Sequence, residues 1–438
     1  MKKLLVVASS LDLRAPLSST PSWWQLLKAL PEQGVELVVA PYQGPSIESP
    51  WWTAAANPCQ REGDAVGWLK RFAPPRGVRP TAVSAWSETR SHPSPVSSAS
   101  ASTSHPSPGS STSASAAPPP ATSESISDRM TRELVDRVTK PRWRNHLVRL
   151  IEAQRDFDAV FFLTVPPNHF GGIPRLIEQR YGLPTYFYDG DVPASLPRFA
   201  GFRTGFRIYQ GADLSEYACV LSSSKGGVDD LRQMGARDVR VLYYAADPTL
   251  FAAEDVEQDI DVFFYGHGAE YREEWISAML DVPSHELPDV RFAVRGTHLG
   301  ALPRVTKLPY ASFARLKHYC SRSQVNLLIT RQAHTSVYGS STARPFELAA
   351  LGCAMVTNPY LGVEEWFEPD REIVVVSNAA EAVSTYRRLL ADPAARRELG
   401  ARARQRLLQE HTYAHRAQQL LEVMGWRVRT LAHAPASV

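Results

Sequence analysis

The sequence predicts an α/β protein built from two doubly wound, parallel-sheet domains. Short apolar stretches of strand composition alternate with helical patterns in both halves of the chain. A length of 438 residues exceeds one ordinary domain and suits two domains of about 150–200 residues each. An acidic segment, Glu254–Asp259, separates the halves. We therefore expect a first domain over residues 1–250, a linker over 251–259 and a second domain over 260–410.

The first domain opens with a strand–helix–strand unit, as doubly wound sheets do. Lys3–Ala8 and Val35–Ala40 are apolar strand candidates, and Ser22–Leu30 has the period of an amphipathic helix. The loop over residues 9–20 should lie at the carboxyl edge of the sheet, but it lacks G-x-G-x-x-G and predicts no dinucleotide site. A charged helix, Asp128–Gln154, should break near Pro141. The remaining strand candidates are Ala159–Leu163, Thr185–Tyr188, Ala218–Leu221 and Val239–Tyr243.

Residues 91–125 form a Ser-, Pro- and Ala-rich segment inside the first domain. They include no Leu, Ile, Phe, Trp or Tyr, so the segment has nothing to bury against the entropy cost of ordering. We expect a long disordered loop. A partner-binding or modified segment is the alternative reading of the same composition.

Charge and cysteine usage exclude several classes of function. The 48 basic and 45 acidic residues leave a net charge of +3, so no global field calls for nucleic acid or an anionic membrane. Cys59, Cys219, Cys320 and Cys353 are scattered without zinc spacing, which favours reduced thiols. The apolar start ends at Ser9 without a cleavage pattern, and no apolar run approaches the length of a membrane span. We expect a cytoplasmic protein and leave peripheral membrane association open.

The second domain repeats the alternation of strand and helix. Its strand candidates are Asp261–Tyr265, Val290–Val294, Val325–Ile329, Ala354–Thr357 and Ile373–Val376, and the pattern beyond Glu381 is helical.

Residues 338–376 carry the most informative stretch of this domain. The turn Gly339-Ser340-Ser341-Thr342 should cap a helix that has Arg344 and Pro345 in its first turn and ends at Gly352. A helix N-terminus with free backbone N–H groups at a strand-end crevice suits an anion, most simply a phosphate.

This stretch, with Arg344-Pro345-Phe346-Glu347 and the later E-E-W-F-E-P, resembles the nucleotide-sugar half of GT-B glycosyltransferases. The closest likeness is to the family-4-like branch that includes CgeB-type proteins. The resemblance implies two Rossmann-like domains facing each other across a cleft, and it implies that Glu347 holds the ribose hydroxyls. Relatives often carry a second Glu eight residues earlier, but this chain has Gly339 there.

Two further segments extend the resemblance. Residues 244–251 are similar to the interdomain crossing of the family, and residues 411–438 correspond to the last helix, which crosses back to the first domain, and its tail. The resemblance also implies retention of anomeric configuration, no metal, and a nucleotide-diphosphate sugar as co-substrate with no other cofactor.

The diphosphate of such a donor needs positive charge and N–H donors. Arg344 and the turn residues Ser340, Ser341 and Thr342 are the first candidates, with helix capping as the alternative role of the turn. The loop after the first strand of the second domain supplies a second set, namely Gly266, Gly268 and Arg272, for which tight-turn formation is the alternative. Arg331, just past another strand end, is a further candidate.

Acceptor-side chemistry is sought in the first domain. His169 lies in a Pro- and Gly-rich loop at a strand's carboxyl end and is a candidate base. Asp189 and Asp191 mimic a metal-binding D-x-D, but they lie far in sequence from the nucleotide signature. We therefore interpret them as acceptor-side or cleft-lining carboxylates, with turn formation as the alternative, and expect no metal. By the family likeness, Glu364 and Glu365 lie beside the donor.

The function expected from these features is transfer of a sugar from a UDP- or GDP-linked donor to an acceptor hydroxyl that the sequence does not identify. A nucleotide-sugar epimerase or hydrolase on the same scaffold is one alternative, and a non-catalytic nucleotide- or sugar-binding protein is another. The absence of G-x-S-x-G and of a G-x-x-x-x-G-K-[ST] loop argues against a serine hydrolase and an ATPase.

Overall fold

The computed structural model describes residues 1–11, 22–61, 126–199, 208–269, 272–309 and 313–427. The Ser- and Pro-rich segment 91–125 lies outside the described residues, as does most of the loop 9–20.

The first domain contains a parallel sheet of seven strands among the described residues, in the order β3-β2-β1-β4-β5-β6-β7. The central strand β1 pairs in parallel with β2 and β4, with Leu4 opposite both Leu37 and Ala159. Strands buried on both faces read as continuous apolar runs, and β1 and β4 do so here. The strands are β1 Lys2–Ser10, β2 Val35–Gln43, β3 Thr53–Ala54, β4 Ala159–Leu163, β5 Thr185–Asp189, β6 Cys219–Ser222 and β7 Val239–Val241.

The second domain contains a parallel sheet of six strands among the described residues, in the order β10-β9-β8-β11-β12-β13. In both sheets the chain runs outward from the central strand, returns, and continues to the other side, which is the doubly wound arrangement. The predicted fold class is confirmed. The strands are β8 Ile260–His267, β9 Phe292–Thr297, β10 Thr306–Lys307, β11 Ser323–Leu328, β12 Met355–Thr357 and β13 Val374–Val375.

Helices connect the strands and cover both sheets. The helix predicted over 128–154 contains a π-helical turn, Val135–Thr139, directly before the turn that holds Pro141. Because proline has no N–H to donate, the regular hydrogen-bond ladder is interrupted there. The α-helices of the described residues are Ser22–Glu32, Ile126–Leu134, Lys140–Ala153, Ile173–Tyr181, Val228–Gln233, Glu273–Ile276, Val282–Glu286, Phe313–Ser321, Gln332–Thr335, Ala343–Ala350, Ala379–Ala391, Pro393–Glu410 and Tyr413–Val423.

The last helix, Tyr413–Val423, packs in the core of the first domain beside the helix Ser22–Glu32. Its Arg416 is 2% exposed, and Arg416 Nε donates to the carbonyls of Tyr243 and Tyr244 at 3.0 and 3.2 Å. These carbonyls lie just past β7, where the chain leaves the first sheet. The helix therefore clamps the crossing segment to the first domain.

Among the described residues, no helix is long and apolar enough to cross a membrane. The four cysteines are free thiols; Cys219, Cys320 and Cys353 are buried and Cys59 is half-buried.

Candidate active site

The carboxyl ends of the second sheet's strands form one wall of the cleft. β8 and β11 are neighbours from which the chain winds in opposite directions, so their ends form the topological switch point, where doubly wound sheets bind ligands. Gly266 lies at the end of β8, Arg331 follows β11, and Arg344 lies in the first turn of the helix Ala343–Ala350. Three of the predicted donor-site residues therefore share one edge of the sheet.

Arg344 lies over two aromatic rings of β8. The guanidinium carbon is 4.4 Å from the ring centre of Tyr265 and 5.6 Å from that of Phe264. A Cβ atom at Gly266 would lie 3.1 Å from both terminal nitrogens of Arg344, so the glycine makes room for the guanidinium. Arg344 Nε is buried and has no hydrogen-bond partner among the described residues. The site therefore holds a cation with unused hydrogen-bonding capacity.

The loop after β8 is held by backbone contacts. A Cβ atom at Gly268 would lie 2.1 Å from the carbonyl oxygen of His298, so only glycine fits against the end of β9. Arg272 donates through Nη1 to the Ala269 carbonyl at 2.8 Å and through Nε to the Ile329 carbonyl at 3.2 Å. Gly268 and Arg272 thus shape the loop and tie it to the end of β11.

Glu347 lies in the helix one turn beyond Arg344 and is 2% exposed. Its Oε2 accepts a hydrogen bond from the Tyr265 hydroxyl at 3.1 Å, whereas Oε1 is buried without a partner among the described residues. Burial raises the pKa of Glu347 to about 7, although Arg344 and the Tyr265 hydroxyl favour the charged form. One carboxylate oxygen is therefore desolvated and unsatisfied close to the Arg344 cation.

The serine-rich turn joins the two domains. Ser340 and Ser341 are fully buried; Ser341 donates through both its amide and its hydroxyl to the Ser223 carbonyl at 2.9 Å. The hydroxyls of Ser340 and Ser224 are 2.6 Å apart. The Gly339 amide donates to the Leu361 carbonyl. The expectation of free amides is therefore wrong for Gly339 and Ser341, because packing against the first domain and the neighbouring loop uses them.

Thr342 is the N-cap of the helix Ala343–Ala350, but its side chain makes no capping hydrogen bond. The predicted capping by the turn's side chains is therefore not observed. Because Pro345 has no N–H, the amides of Ala343 and Arg344 form the positive end of this helix, and the Thr342 side chain does not accept from them.

Gly339, eight residues before Glu347, lies against the first domain in a conformation that favours glycine. Its φ is 56°, in the left-handed region that favours glycine. A Cβ atom there would lie 3.0 Å from the Tyr243 hydroxyl oxygen and 3.1 Å from Lys225 Cβ. The contact with the first domain therefore excludes a glutamate from this position without rearrangement.

The two aspartates of the D-x-D pattern have different surroundings. Asp189 is 2% exposed and accepts hydrogen bonds from the hydroxyls of Ser195 and Tyr209 and, at 2.8 Å, from the Asp191 amide. Burial raises the pKa of Asp189. Asp191 instead forms an ion pair with Arg331 of the second domain. Asp189 therefore stabilises a turn, and Asp191 lines the cleft and bridges it. No three His, Cys, Asp or Glu side chains of the described residues are grouped closely enough to hold a metal ion.

His169 lies in the short 3-10 helix Pro167–His169, which follows β4. Its Nδ1 is hydrogen-bonded to the hydroxyl of Tyr42, at the end of β2, and its ring packs against the Tyr42 ring. Burial and the nearby Lys140 lower the pKa of His169 to about 4, so the ring is neutral at pH 7. His169 follows β4 near the carboxyl edge of the first sheet, and among the described residues it makes no hydrogen bond to Asp191 or Arg331.

Glu364 and Glu365 lie in the short 3-10 helix Val363–Glu365. Glu364 is exposed. Glu365 accepts hydrogen bonds from Lys225 Nζ of the first domain at 2.8 Å and from the Tyr338 hydroxyl at 2.7 Å. Glu365 therefore joins the domains, at the same seam as Ser340 and Ser341.

Two residues of the site, Tyr265 and His334, were not predicted from the sequence. Tyr265 forms the floor under Arg344, and the aromatic pair directly before the Gly266 turn was the available signal. His334 accepts a hydrogen bond from Arg331 at 2.9 Å, and only its spacing of three residues from Arg331 could have indicated it.

Comparison with known proteins finds one family match, in the second half of the chain. Residues 272–422 match the model of the glycosyl transferase-like family. No curated protein matches the chain. Sucrose-phosphate synthase from Thermosynechococcus elongatus is similar in structure, with a TM-score of 0.62, 14% identity, and coverage of 97% of this chain and 98% of that chain.

Two other solved structures are similar over nearly the whole chain. The Anabaena protein HepE, in complex with UDP and glucose, has a TM-score of 0.55 and 11% identity, covering 97% of this chain and 100% of that chain. The E. coli trehalose-6-phosphate synthase OtsA has a TM-score of 0.58 and 12% identity, covering 98% of this chain and 100% of that chain. At these identities the likeness shows the fold. The chain therefore has the GT-B fold, and the family match lies within residues 272–422.

Proposed function

We propose that this protein is a glycosyltransferase that uses a nucleotide-diphosphate sugar bound between its two domains. The observation that carries the proposal is the group formed by Arg344, Glu347 and the helix N-terminus at the switch point of the second sheet. Within the part of the chain that the structure describes, it combines an Nε donor and a carboxylate oxygen that have no partner with a helix start that its N-cap side chain does not cap. The family match and the likeness to proteins solved with UDP or UDP-2-fluoro glucose support the same class of donor.

In this proposal the chain's own cations stabilise the departing diphosphate. Arg344, with the helix amides, contacts the phosphate oxygens, and Arg331 approaches them from the end of β11. The unpaired Oε1 of Glu347 accepts hydrogen bonds from the ribose hydroxyls. Gly266 and Gly268 let the backbone of their loop come close to the donor.

The transfer step follows from these positions. The acceptor oxygen forms a bond to the anomeric carbon as the bond from that carbon to the phosphate oxygen breaks. The acceptor proton passes to the leaving phosphate, on the same face of the sugar, which gives retention without a metal. Asp191 lines the first-domain side, and His169, neutral at pH 7, is the alternative acceptor-side base if the leaving phosphate does not take the proton. We further propose the CgeB-like branch, because only the later glutamate of the E-x7-E pattern, Glu347, is present, and Gly339 stands at the earlier position.

A turnover experiment separates this function from its alternatives. The purified chain is incubated with UDP-, GDP- and dTDP-sugars, with and without a panel of acceptors, and nucleotide release is measured. Release that requires an acceptor supports transfer, whereas equal release without one supports a hydrolase. A sugar changed on the donor without release supports an epimerase. Binding of a nucleotide sugar with no turnover supports a non-catalytic binding protein.

A further inference from the structure

His334 lies behind Arg331 in the short helix Gln332–Thr335 that follows β11. The histidine is 2% exposed and Arg331 is 9% exposed, so the pair is almost fully removed from water. Arg331 Nε donates a hydrogen bond to His334 Nδ1 at 2.9 Å. Because a guanidinium is always protonated, Nδ1 must carry the lone pair and the ring proton must be on Nε2.

The surroundings keep this ring neutral. Burial lowers the pKa of His334 well below its usual value, and the neighbouring Arg331 and Arg272 act in the same direction. A protonated ring would also point its Nδ1–H at the Nε–H of Arg331. His334 is therefore a hydrogen-bond acceptor of fixed tautomer.

The hydrogen bond fixes the direction of the Arg331 side chain. A guanidinium is a rigid planar fork, so holding Nε also sets where both terminal nitrogens point. Here Nη2 of Arg331 points at Asp191 of the first domain and forms an ion pair with it. Asp191 is an anion on the far side of the cleft, so this edge of Arg331 faces the cleft.

We propose that His334 is a positioning residue for the donor: it holds Arg331 so that its terminal nitrogens meet the diphosphate of the nucleotide sugar. This inference rests on the proposed function. The phosphate oxygens then compete with the Asp191 carboxylate for the same edge of Arg331. His334 itself touches neither substrate.

The test compares binding of UDP and uridine, and of GDP and guanosine, to the wild type and to His334→Leu. The leucine removes the acceptor and retains much of the buried volume. Affinity for the diphosphate should fall about tenfold, because Arg331 loses its orientation toward the charged oxygens. Affinity for the nucleoside should be unchanged, because Arg331 contacts only the diphosphate. In His334→Asn, Oδ1 replaces Nδ1 as the acceptor, and most of the diphosphate affinity should return.

His411→Leu is the matched control. His411 Nδ1 lies 2.7 Å from Nη2 of Arg416, so this variant breaks a second buried Arg–His pair, whose arginine bonds the carbonyls of the crossing segment. It should lower the melting temperature without changing the ratio of diphosphate to nucleoside affinity.

The outcomes distinguish this inference from the proposed function. Unchanged diphosphate affinity in folded His334→Leu overturns the inference, and so do equal losses for diphosphate and nucleoside. If the wild type binds neither UDP nor GDP, the proposed function itself fails and the inference fails with it. If His334→Leu does not fold, Arg331→Lys replaces it, because lysine keeps the charge and lacks the Nε–H donor. An unchanged ratio of affinities in that variant overturns the inference.

Discussion

Glu347 is the residue that we expect to bind the ribose of the proposed donor. Its Oε1 is buried and finds no partner in the described ranges, and hydrogen bonds from the two ribose hydroxyls would satisfy it. We expect Glu347→Ala to weaken UDP binding by one to two orders of magnitude, which corresponds to about 1.4–2.8 kcal/mol. Calorimetry on the folded variant measures this, with the exposed Glu398→Ala as a control. Wild-type affinity in Glu347→Ala would remove Glu347 from the site.

The buried carboxyl also predicts how stability depends on pH. The pKa of Glu347 rises from 4.5 to about 7 on folding, so the folded state binds more protons than the unfolded state in that window. The group therefore lowers the free energy of unfolding as pH rises through the window. Glu347→Gln has no carboxyl that titrates at this position. From pH 5 to pH 8 its free energy of unfolding should therefore rise by about 2–3 kcal/mol relative to that of the wild type. The free energies of unfolding of both proteins are measured by chemical denaturation at pH 5 and at pH 8. The same difference between variant and wild type at both pH values would contradict the raised pKa.

At the residue scale the sequence indicates the helix that carries Arg344 and Glu347, because the turn, the proline and the following strand are local signals. The partners of site residues are not local. Asp191 and Arg331 are 140 residues apart in sequence, and Ser341 and Ser223 are 118 apart. Which serine faces a ligand and which faces the other domain depends on how the two sheets pack, and no spacing in the sequence encodes that.

At Gly400, the helix Pro393–Glu410 packs directly against the backbone that follows the helix Ala343–Ala350. A Cβ atom there would lie 2.0 Å from the carbonyl oxygen of Gly352, where the helix Ala343–Ala350 has just ended. Alanine normally stabilises a helix relative to glycine by about 1 kcal/mol. Here we expect Gly400→Ala to destabilise the protein by about 1–3 kcal/mol, because the two helices must move apart.

Chemical denaturation of Gly400→Ala measures this effect. Gln405→Ala, at an exposed position of the same helix, serves as the control and should stay within about 0.5 kcal/mol of the wild type. A gain in stability for Gly400→Ala would show that the two helices do not make this contact.

At the element scale, strand identity follows from apolar periodicity, whereas strand ends follow from pairing. The predicted strand 290–294 is observed as β9 Phe292–Thr297, because its pairing with β8 continues to His267 opposite Thr297. β3 and β10 have two residues each, too few for any periodicity to indicate them.

Arg416 links the last helix to the segment that leaves the first sheet and to the end of the helix Pro393–Glu410. Its guanidinium bonds the Tyr243, Tyr244 and Glu410 carbonyls and lies 2.7 Å from His411. Burial lowers the pKa of Arg416 to about 10. Removing this side chain leaves the three carbonyls, Gln419 Oε1 and His411 Nδ1 without their donor, so we expect Arg416→Leu to cost about 3 kcal/mol or more and to uncouple the domains.

Calorimetry of Arg416→Leu should show two unfolding transitions, the first from the domain that has lost its clamp. Arg402→Leu, which breaks only the exposed pair with Glu398, should leave the wild-type profile nearly unchanged. A single transition at the wild-type temperature in Arg416→Leu would contradict a clamping role.

At the scale of the whole molecule, the central claim is that a nucleotide diphosphate binds where the helix Ala343–Ala350 begins. A crystal structure of the full chain with UDP tests this claim most directly. We expect phosphate density within hydrogen-bonding distance of the Arg344 guanidinium and the first helix amides, with the ribose hydroxyls at Glu347. Ordered UDP bound elsewhere, with the surroundings of Arg344 unchanged, would contradict the claim.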